Sequence, residues 1–420
     1  MRGIQLNHEK MKTENHGAPV KQRIVILDAL RGFALLGIIL ANFPEFSLWT
    51  FQSERVQQAM DTAGADSTVA WLLSLLVDGK FYLNFSVLFG IGFSIILENA
   101  VKRGANGMHI FYRRMTVLAV IGLLHMMLLW SGDILLLYAL MGMLLPLFRR
   151  CTDRGLLGWA LFFLLLPVTI DLFRDLSDHT LPQYLYGEWW RCAHLMGISE
   201  ENFGTWLRDA HSYREVFAFL VQGAVERIWE FVSGNRYFKV LGLFLIGYYI
   251  GRRRLYLWAS KESTPDAKQL KTVFLVSAII GIPTSFLYAY GHTGNHYWDN
   301  TVYSVLYVIS VYPTGLMYTA GLALLYRHFP HNRLWPALAY PGRMALTNYL
   351  SQSLCGMMLF YGIGLGMGAD IGLWPTEVLA IMVFLFQICF SALWLKLFRF
   401  GPLEWLWRMI TYGKTFPLKK

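Results

Sequence analysis

Charge is scarce in this chain of 420 residues: only 15% are Asp, Glu, Lys or Arg, against 55% hydrophobic and 16% aromatic. That shortage excludes an ordinary soluble domain, where about a quarter of residues are charged. With a mean hydropathy of +0.40, the composition is that of a polytopic membrane protein. Cysteine is sparse too. Cys151, Cys192, Cys355 and Cys389 are scattered without metal-ligand spacing, and only Cys192 falls in an expected external loop, so neither a disulfide framework nor a metal is expected. Also missing are a Walker lysine loop, a Gly-x-Gly-x-x-Gly between strand and helix, His-Glu-x-x-His and Gly-x-Ser-x-Gly. ATP-driven transport, flavin chemistry and zinc proteolysis lose weight accordingly. There is no internal repeat, no low-complexity tract and no small-residue cleavage site after a short apolar stretch, so the first apolar segment is expected to be retained.

What is present is a series of apolar stretches long enough for a bilayer of about 30 Å. They fall near 24–46, 81–99, 112–130, 134–149, 155–173, 237–251, 271–290, 302–326, 343–362 and 376–398. An all-α bundle of about ten spans is expected, with residues 1–23 as an N-terminal tail, 24–398 as the membrane domain and 399–420 as a C-terminal tail. Segment 68–77 is too short to span and reads as an interfacial or re-entrant helix. The Trp-rich stretch 174–235 reads as an external loop, with Tyr213 to Val232 as an amphipathic helix on the outer surface. Pro283 and Pro313 interrupt two spans, where the freed carbonyls need partners.

The formal charge of +10 could suggest nucleic acid, but the basic residues are not gathered on one face. They recur in clusters between apolar stretches: Lys21 and Arg23, Lys102 and Arg103, Arg113 and Arg114, Arg149 to Arg154, Arg252 to Arg254, Arg327 and Arg333, then Lys396 to Lys420. Under the ten-span count all lie on the side of the N-terminus. The positive-inside rule makes that side cytoplasmic, with both termini there, and no nucleic-acid partner is expected.

Ionisable groups inside apolar segments are costly and mark candidate paths. Asp28 and Arg31 share a helix face, and Asn42 lies eleven residues beyond Arg31, about 16 Å along the same stripe. An arginine at that depth suits a phosphate, because its guanidinium donates paired hydrogen bonds; the structural alternative is an Asp28–Arg31 pair that locks helices. His125 sits about two turns from Asp133 across a helix hairpin, an arrangement for a general base with an orienting carboxylate. The alternative is a histidine bonded across helices, with Asp133 capping the next helix ahead of Ile134. Arg343, Thr347 and Ser351 are spaced to line one face of the ninth span, with Asn348 and Gln352 adjacent, as a phosphate-binding wall or as hydrogen-bonding glue between helices. Lys80 and Asn84 are one turn apart and are expected to face the outer side, where they could hold an acceptor, while Gly90 permits close helix packing.

Phe81 to Gly92, His125 with Trp130 to Asp133, Gly342 to Tyr349, and the tail Gly401 to Thr411 resemble the bacterial YeiB family of inner-membrane proteins, itself a domain of unknown function. The resemblance covers almost the whole chain. It implies a place among the transmembrane acyltransferases, which include heparan-α-glucosaminide N-acetyltransferase and the acyltransferase-3 proteins and are similar in the Leu27 to Gly32 opening. Acyltransferase-3 proteins carry a functional histidine where this chain has Asn42; the heparan enzyme carries asparagine there and a histidine somewhat later. No histidine lies between Asn42 and Lys80, so the resemblance moves the base elsewhere, to His125.

Together these readings predict an acyltransferase that takes its acyl group from cytoplasmic acyl-CoA, acetyl-CoA first among donors. The expected acceptor is a hydroxyl or amine on an external or membrane-embedded glycan, lipid or small molecule. Arg31, Arg343, Thr347 and Asn348 would hold the cofactor; His125, Asp133 and Asn42 would act on the acceptor, which Lys80 and Asn84 would bind. A proton-coupled transporter of a small organic solute is the competing reading, although paired inverted halves are not evident. A noncatalytic assembly is the third. Membrane lipid surrounds the chain under all three, and homo-oligomerisation stays open.

Overall fold

The computed structural model describes residues 24–102, 104–177, 180–259, 266–293 and 300–420. The tail 1–23, with Lys21 and Arg23, and Arg103 lie outside the described residues. The chain folds into helices Val25–Phe46 (α1), Glu54–Ala59 (α2), Ala63–Leu76 (α3), Lys80–Lys102 (α4), Gly107–Leu128 (α5) and Leu135–Leu144 (α6). Then come Asp153–Asp175 (α7), Leu181–Leu195 (α8), Trp206–Asp209 (α9), Tyr213–Ser233 (α10), Arg236–Arg252 (α11) and Asp266–Thr293 (α12). Asn300–His328 (α13), Leu334–Arg343 (α14), Ala345–Phe360 (α15), Leu373–Leu397 (α16) and Pro402–Tyr412 (α17) complete the bundle. No strand occurs among the described residues beyond an isolated bridge between Phe398 and Lys419.

All ten apolar stretches are helical, and seven helical segments are long and apolar enough to cross a membrane. The others fall short for local reasons. α6 tightens into a 3-10 turn at Leu145–Phe148, which contains Pro146, and α11 has 17 residues. The ninth stretch is split at Met344, so Arg343 ends α14 while Thr347 belongs to α15. The expected single face carrying Arg343, Thr347 and Ser351 is therefore not formed, because Met344, at φ −115° and ψ 36°, leaves the helical conformation between α14 and α15.

α1 runs through the middle and packs on α4, α14, α15 and α16. A Cβ on Gly32 would stand 1.8 Å from the Leu338 carbonyl oxygen, and one on Gly342 would stand 1.9 Å from that of Asp28. α1 and α14 thus meet backbone to backbone, which small residues permit and larger ones forbid. Gly90 and Gly247 do the same for α4 and α11, and Phe89 stacks on Phe244 at 4.3 Å beside them. α12 and α13 continue through Pro283 and Pro313. The Thr284 hydroxyl donates to Ile280 O at 2.7 Å and Ile309 O at 2.8 Å, and Ser285 meets Thr314 at 2.9 Å, so polar groups loosened near the prolines are satisfied across the hairpin.

α3 and α4 form one helical segment broken at Val77–Gly79. Gly79 adopts φ +75°, and a side chain there would run into Tyr307 and Val311. Left-handed backbone with no room beside it requires glycine. The region 174–235 is a folded layer. α8 and α10 pack through Trp189, Trp190, Phe203 and Trp229, and the Trp189 indole donates to Gln222 Oε1 at 2.5 Å. α10 does not merely lie on a surface. Gln222 and Arg227 are buried, and Arg227 braces the α5–α6 turn by donating to Gly132 O and, at 3.1 Å, to Asp133 O.

Candidate functional site

A cavity of about 1670 Å³ follows α1 from Asp28 to Glu45. That separation is about 25 Å of helix rise. Its first end is walled by arginines from four helices: Arg31 (α1), Arg114 (α5), Arg343 (α14) and Arg408 (α17). The Gly32–Gly342 contact places Arg31 and Arg343 at the same helix crossing. Arg31 Nη1 donates to Asp28 Oδ1 at 2.9 Å, so the predicted pair exists, yet the arginine side chain keeps 29% of its exposure. Arg114 stacks on Trp407 at 3.7 Å and lies within electrostatic reach of Arg31 and Arg408. Arg408 rests against Phe400, Phe416 and Tyr412.

The acidic residues at this end are already engaged. Asp28 binds Arg31, and Glu404 caps α15, accepting from Leu346 N at 2.7 Å, Thr347 N at 3.0 Å and the Thr347 hydroxyl at 2.6 Å. Burial raises the Glu404 pKa, and those three donors pull against the rise. Positive charge therefore predominates at the mouth, the condition for holding phosphates.

The middle of the cavity is aromatic, with Phe81, Tyr82, Phe85, Phe89 and Tyr138 on its wall. At the far end stand Asn42, Glu45, Arg227, Glu230, Arg236 and Lys239. Arg227 pairs with Glu230, and Glu45 feels the charge of Arg227, Glu230 and Arg236. A neighbouring pocket of about 220 Å³ is lined by Glu45, Glu226, Arg227 and Glu230. Burial first, then the charges of Glu230 and Glu45, push the Glu226 carboxyl up to about 9.

Of the residues singled out from sequence, Asn42, Asp28, Arg31 and Arg343 line the cavity. The others do not. His125 and Asp133 are each 1% exposed and meet, with Nδ1 2.8 Å from Asp133 Oδ1, while Nε2 lies 2.8 Å from Ser353 Oγ. With Asp133 as carboxylate, Nδ1 donates and Nε2 accepts the serine hydrogen. Asp133 Oδ2 also caps α6, accepting from Leu136 N at 2.7 Å. The order Asp–His–Ser is that of a hydrolase triad. Ser353 is 1% exposed, however, and lies behind the cavity wall, where the Tyr349 ring, 5.2 Å from the imidazole, forms the lining. This chain ties α5, α6 and α15 together.

Thr347 is consumed by Glu404, and Asn348 Nδ2 donates to Pro341 O at 3.1 Å and Ser391 Oγ at 3.0 Å. Gln387 of α16 continues that ladder to Gln352 and Ser351. Lys80 is fully buried rather than outward-facing. The α3–α4 break turns it inward, where Nζ donates to Ser74 O at 2.5 Å, the C-terminal end of α3 that favours a cation, and lies over the Tyr288 ring. Asn84 accepts from the Thr319 hydroxyl at 2.6 Å and is 2% exposed. Both residues hold helices rather than face the outside.

Glu45, Arg114, Arg236, Lys239 and Arg408 are cavity residues that sequence reasoning did not single out as site residues. Glu45 had a signal, since it lies fourteen residues after Arg31, close to four turns, and extends the α1 polar stripe. Among the described residues no group of three or more His, Cys, Asp or Glu side chains is arranged to hold a metal.

The fold and cavity define a polytopic all-α membrane protein with a polar path through an apolar bundle. The chain belongs to the YeiB-type family described as Protein of unknown function (DUF418), whose match covers residues 257–414. It is 30% identical over 409 residues to the uncharacterized protein YxaH of Bacillus subtilis (strain 168), covering 95% of this chain and 96% of that protein. It is 29% identical over 419 residues to the uncharacterized protein YeiB of Escherichia coli (strain K12), covering 94% and 98%. An uncharacterized 39.9 kDa protein encoded in the amylase 3' region of Bacillus acidopullulyticus is 29% identical over 399 residues, covering 94% and 96%. No solved structure matches.

Proposed function

We propose that this protein is a bacterial inner-membrane acyltransferase that passes an acyl group from cytoplasmic acyl-CoA, acetyl-CoA first, to a hydroxyl or amine acceptor outside or within the membrane. The observation that carries the proposal is the single cavity joining four arginines at one end to Glu45 at the other. The basic clusters at Arg149 to Arg154, Arg252 to Arg254 and Arg327 to Arg333 support a cytoplasmic placement of the arginine end. CoA is anionic and crosses hydrocarbon only at high cost, whereas its pantetheine arm is narrow and suits the aromatic middle of the cavity. Arg31, Arg114, Arg343 and Arg408 would hold the phosphates.

At the far end the acceptor oxygen or nitrogen attacks the thioester carbonyl. The carbon–sulfur bond breaks and CoA leaves as thiolate; the acceptor proton, taken up by Glu45, the carboxylate on the cavity wall, is then returned to the sulfur to give CoA thiol and restore the carboxylate. Asn42, one turn earlier, would donate to the developing oxyanion. The His125–Asp133–Ser353 chain positions the Tyr349 wall. Calorimetric titration of the purified protein in detergent with acetyl-CoA and CoA, with ATP and acetate as controls, tests the donor site. Saturable binding weakened by Arg31→Ala or Arg343→Ala is expected; absence of binding by any acyl-CoA overturns the reading.

The broken α3–α4 helix favours a second reading as a proton-coupled transporter, because interrupted helices line many transport sites. Release of free CoA thiol, dependent on Glu45, would exclude transport as the whole activity.

A further inference from the structure

Two cations at the far end of the cavity form no ion pair among the described residues. Arg236 and Lys239 occupy the first turn of α11 and both line the cavity, yet among the described residues neither side chain forms an ion pair or a hydrogen bond. Lys239 is 6% exposed, and its ammonium stands 4.0 Å from the centre of the Tyr307 ring. The carboxylates whose charge reaches these cations are Asp171, Glu230 and Glu45; the first two are engaged elsewhere, and Glu45 forms no ion pair with Arg236. Asp171 accepts from Arg174 at 2.9 Å and from Asn235 at 3.0 Å, and also binds Ser304. Glu230 is paired with Arg227. The first turn of a helix is also where backbone N–H groups disfavour a cation and attract an anion. A buried, unpaired ammonium placed against that dipole is costly and is retained where something negative binds.

We propose that Arg236 and Lys239 form an anion subsite for the acceptor, which carries a phosphate group alongside the hydroxyl or amine that receives the acyl group. This rests on the acyltransfer reading for the word acceptor but not for the binding. Residues three apart on a helix place their Cβ atoms about 5–6 Å apart, a span that one phosphate can bridge. The guanidinium supplies a two-pronged donor and the ammonium a point charge. Tyr82, on the same wall, accepts from Tyr307 at 2.9 Å, and no described residue accepts its own hydroxyl hydrogen, which is left to donate to the ligand.

The test is calorimetric titration of the full-length protein in detergent with glycerol 3-phosphate and with glycerol, beside micelles doped with phosphatidylglycerol or phosphatidylcholine. Glycerol 3-phosphate or phosphatidylglycerol is expected to bind or stabilise the protein at least tenfold more effectively than its uncharged or zwitterionic counterpart. That advantage should vanish in Lys239→Met and Arg236→Gln and survive in Arg343→Ala. A response to the soluble phosphate alone assigns a soluble acceptor, and one to the lipid alone a lipid-borne acceptor. Without ligand, Lys239→Met is expected to raise the Tm, since it removes an unpaired charge; a lowered Tm marks a structural lysine and overturns the proposal. Equal responses of wild type and Lys239→Met also overturn it. Acetyl-CoA titrated in parallel separates the two readings. Its failure beside a Lys239-dependent phosphate response sinks acyl transfer and leaves the anion site standing.

Discussion

Two polar clusters of this protein look alike in sequence and differ in space. The Asp28–Arg31 and Gly342–Arg343 segments meet to form an open mouth, where guanidinium groups outnumber free carboxylates. The His125–Asp133 cluster closes on itself through Ser353, each hydrogen-bonding atom of the imidazole satisfied and each residue shut from the cavity. The difference teaches how to weigh a charged residue in an apolar segment. A group whose capacity is filled by its neighbours is part of the packing, and one with capacity to spare along a cavity is available to a ligand.

Substitutions can break that contrast. Glu45→Gln removes the proton acceptor while keeping the shape, and is expected to slow acyl transfer by about 10²–10⁴-fold with acetyl-CoA affinity unchanged, read by CoA thiol release. His125→Ala leaves Asp133 buried without its main partner and should cost about 3 kcal/mol of stability, measured as a Tm loss. If the protein stays folded, acetyl-CoA affinity should hold. Loss of transfer beyond the loss of folded protein would instead move the base back to His125. Arg343→Ala should weaken acetyl-CoA binding by about 2 kcal/mol, the worth of charge-assisted hydrogen bonds, with little change in Tm. A similar loss from Thr347→Ala without unfolding would contradict its assignment to the Glu404 cap.

The smallest effect concerns pH. Glu226 titrates near 9 in the folded protein against an ordinary value of 4.5, so the folded state binds the extra proton between them. Stability from this group is therefore full below about 4.5 and falls as pH rises toward 9. Glu226→Gln should flatten the Tm-versus-pH curve across that window and raise the Tm at its alkaline end. An unchanged curve would show that Glu226 is solvated rather than buried beside Glu45 and Glu230.

Much of the fold was legible. Apolar stretches became helices because a chain without water around it must satisfy its backbone internally, and only their lengths needed correction at Pro146 and Met344. The α1 stripe was legible as well, since 3.6-residue periodicity is a local property, and Glu45 belonged to it. Lys80 and Asn84 misled because the α3–α4 break, set by Gly79 against Tyr307 and Val311, turns that end of α4 into the bundle.

The sequence by itself determined an all-helical membrane bundle and its polar stripe on α1, and placed Asp133 about two turns from His125 across a short hairpin, because composition, periodicity and short loops are properties of neighbours along the chain; that the two side chains meet was decided by the fold. Only the tertiary structure decided which polar residues face the cavity. Arg114, Arg236, Lys239 and Arg408 reach it from helices far apart in sequence. Whether a side chain is spent on a partner or left for a ligand depends on what the other helices place opposite it.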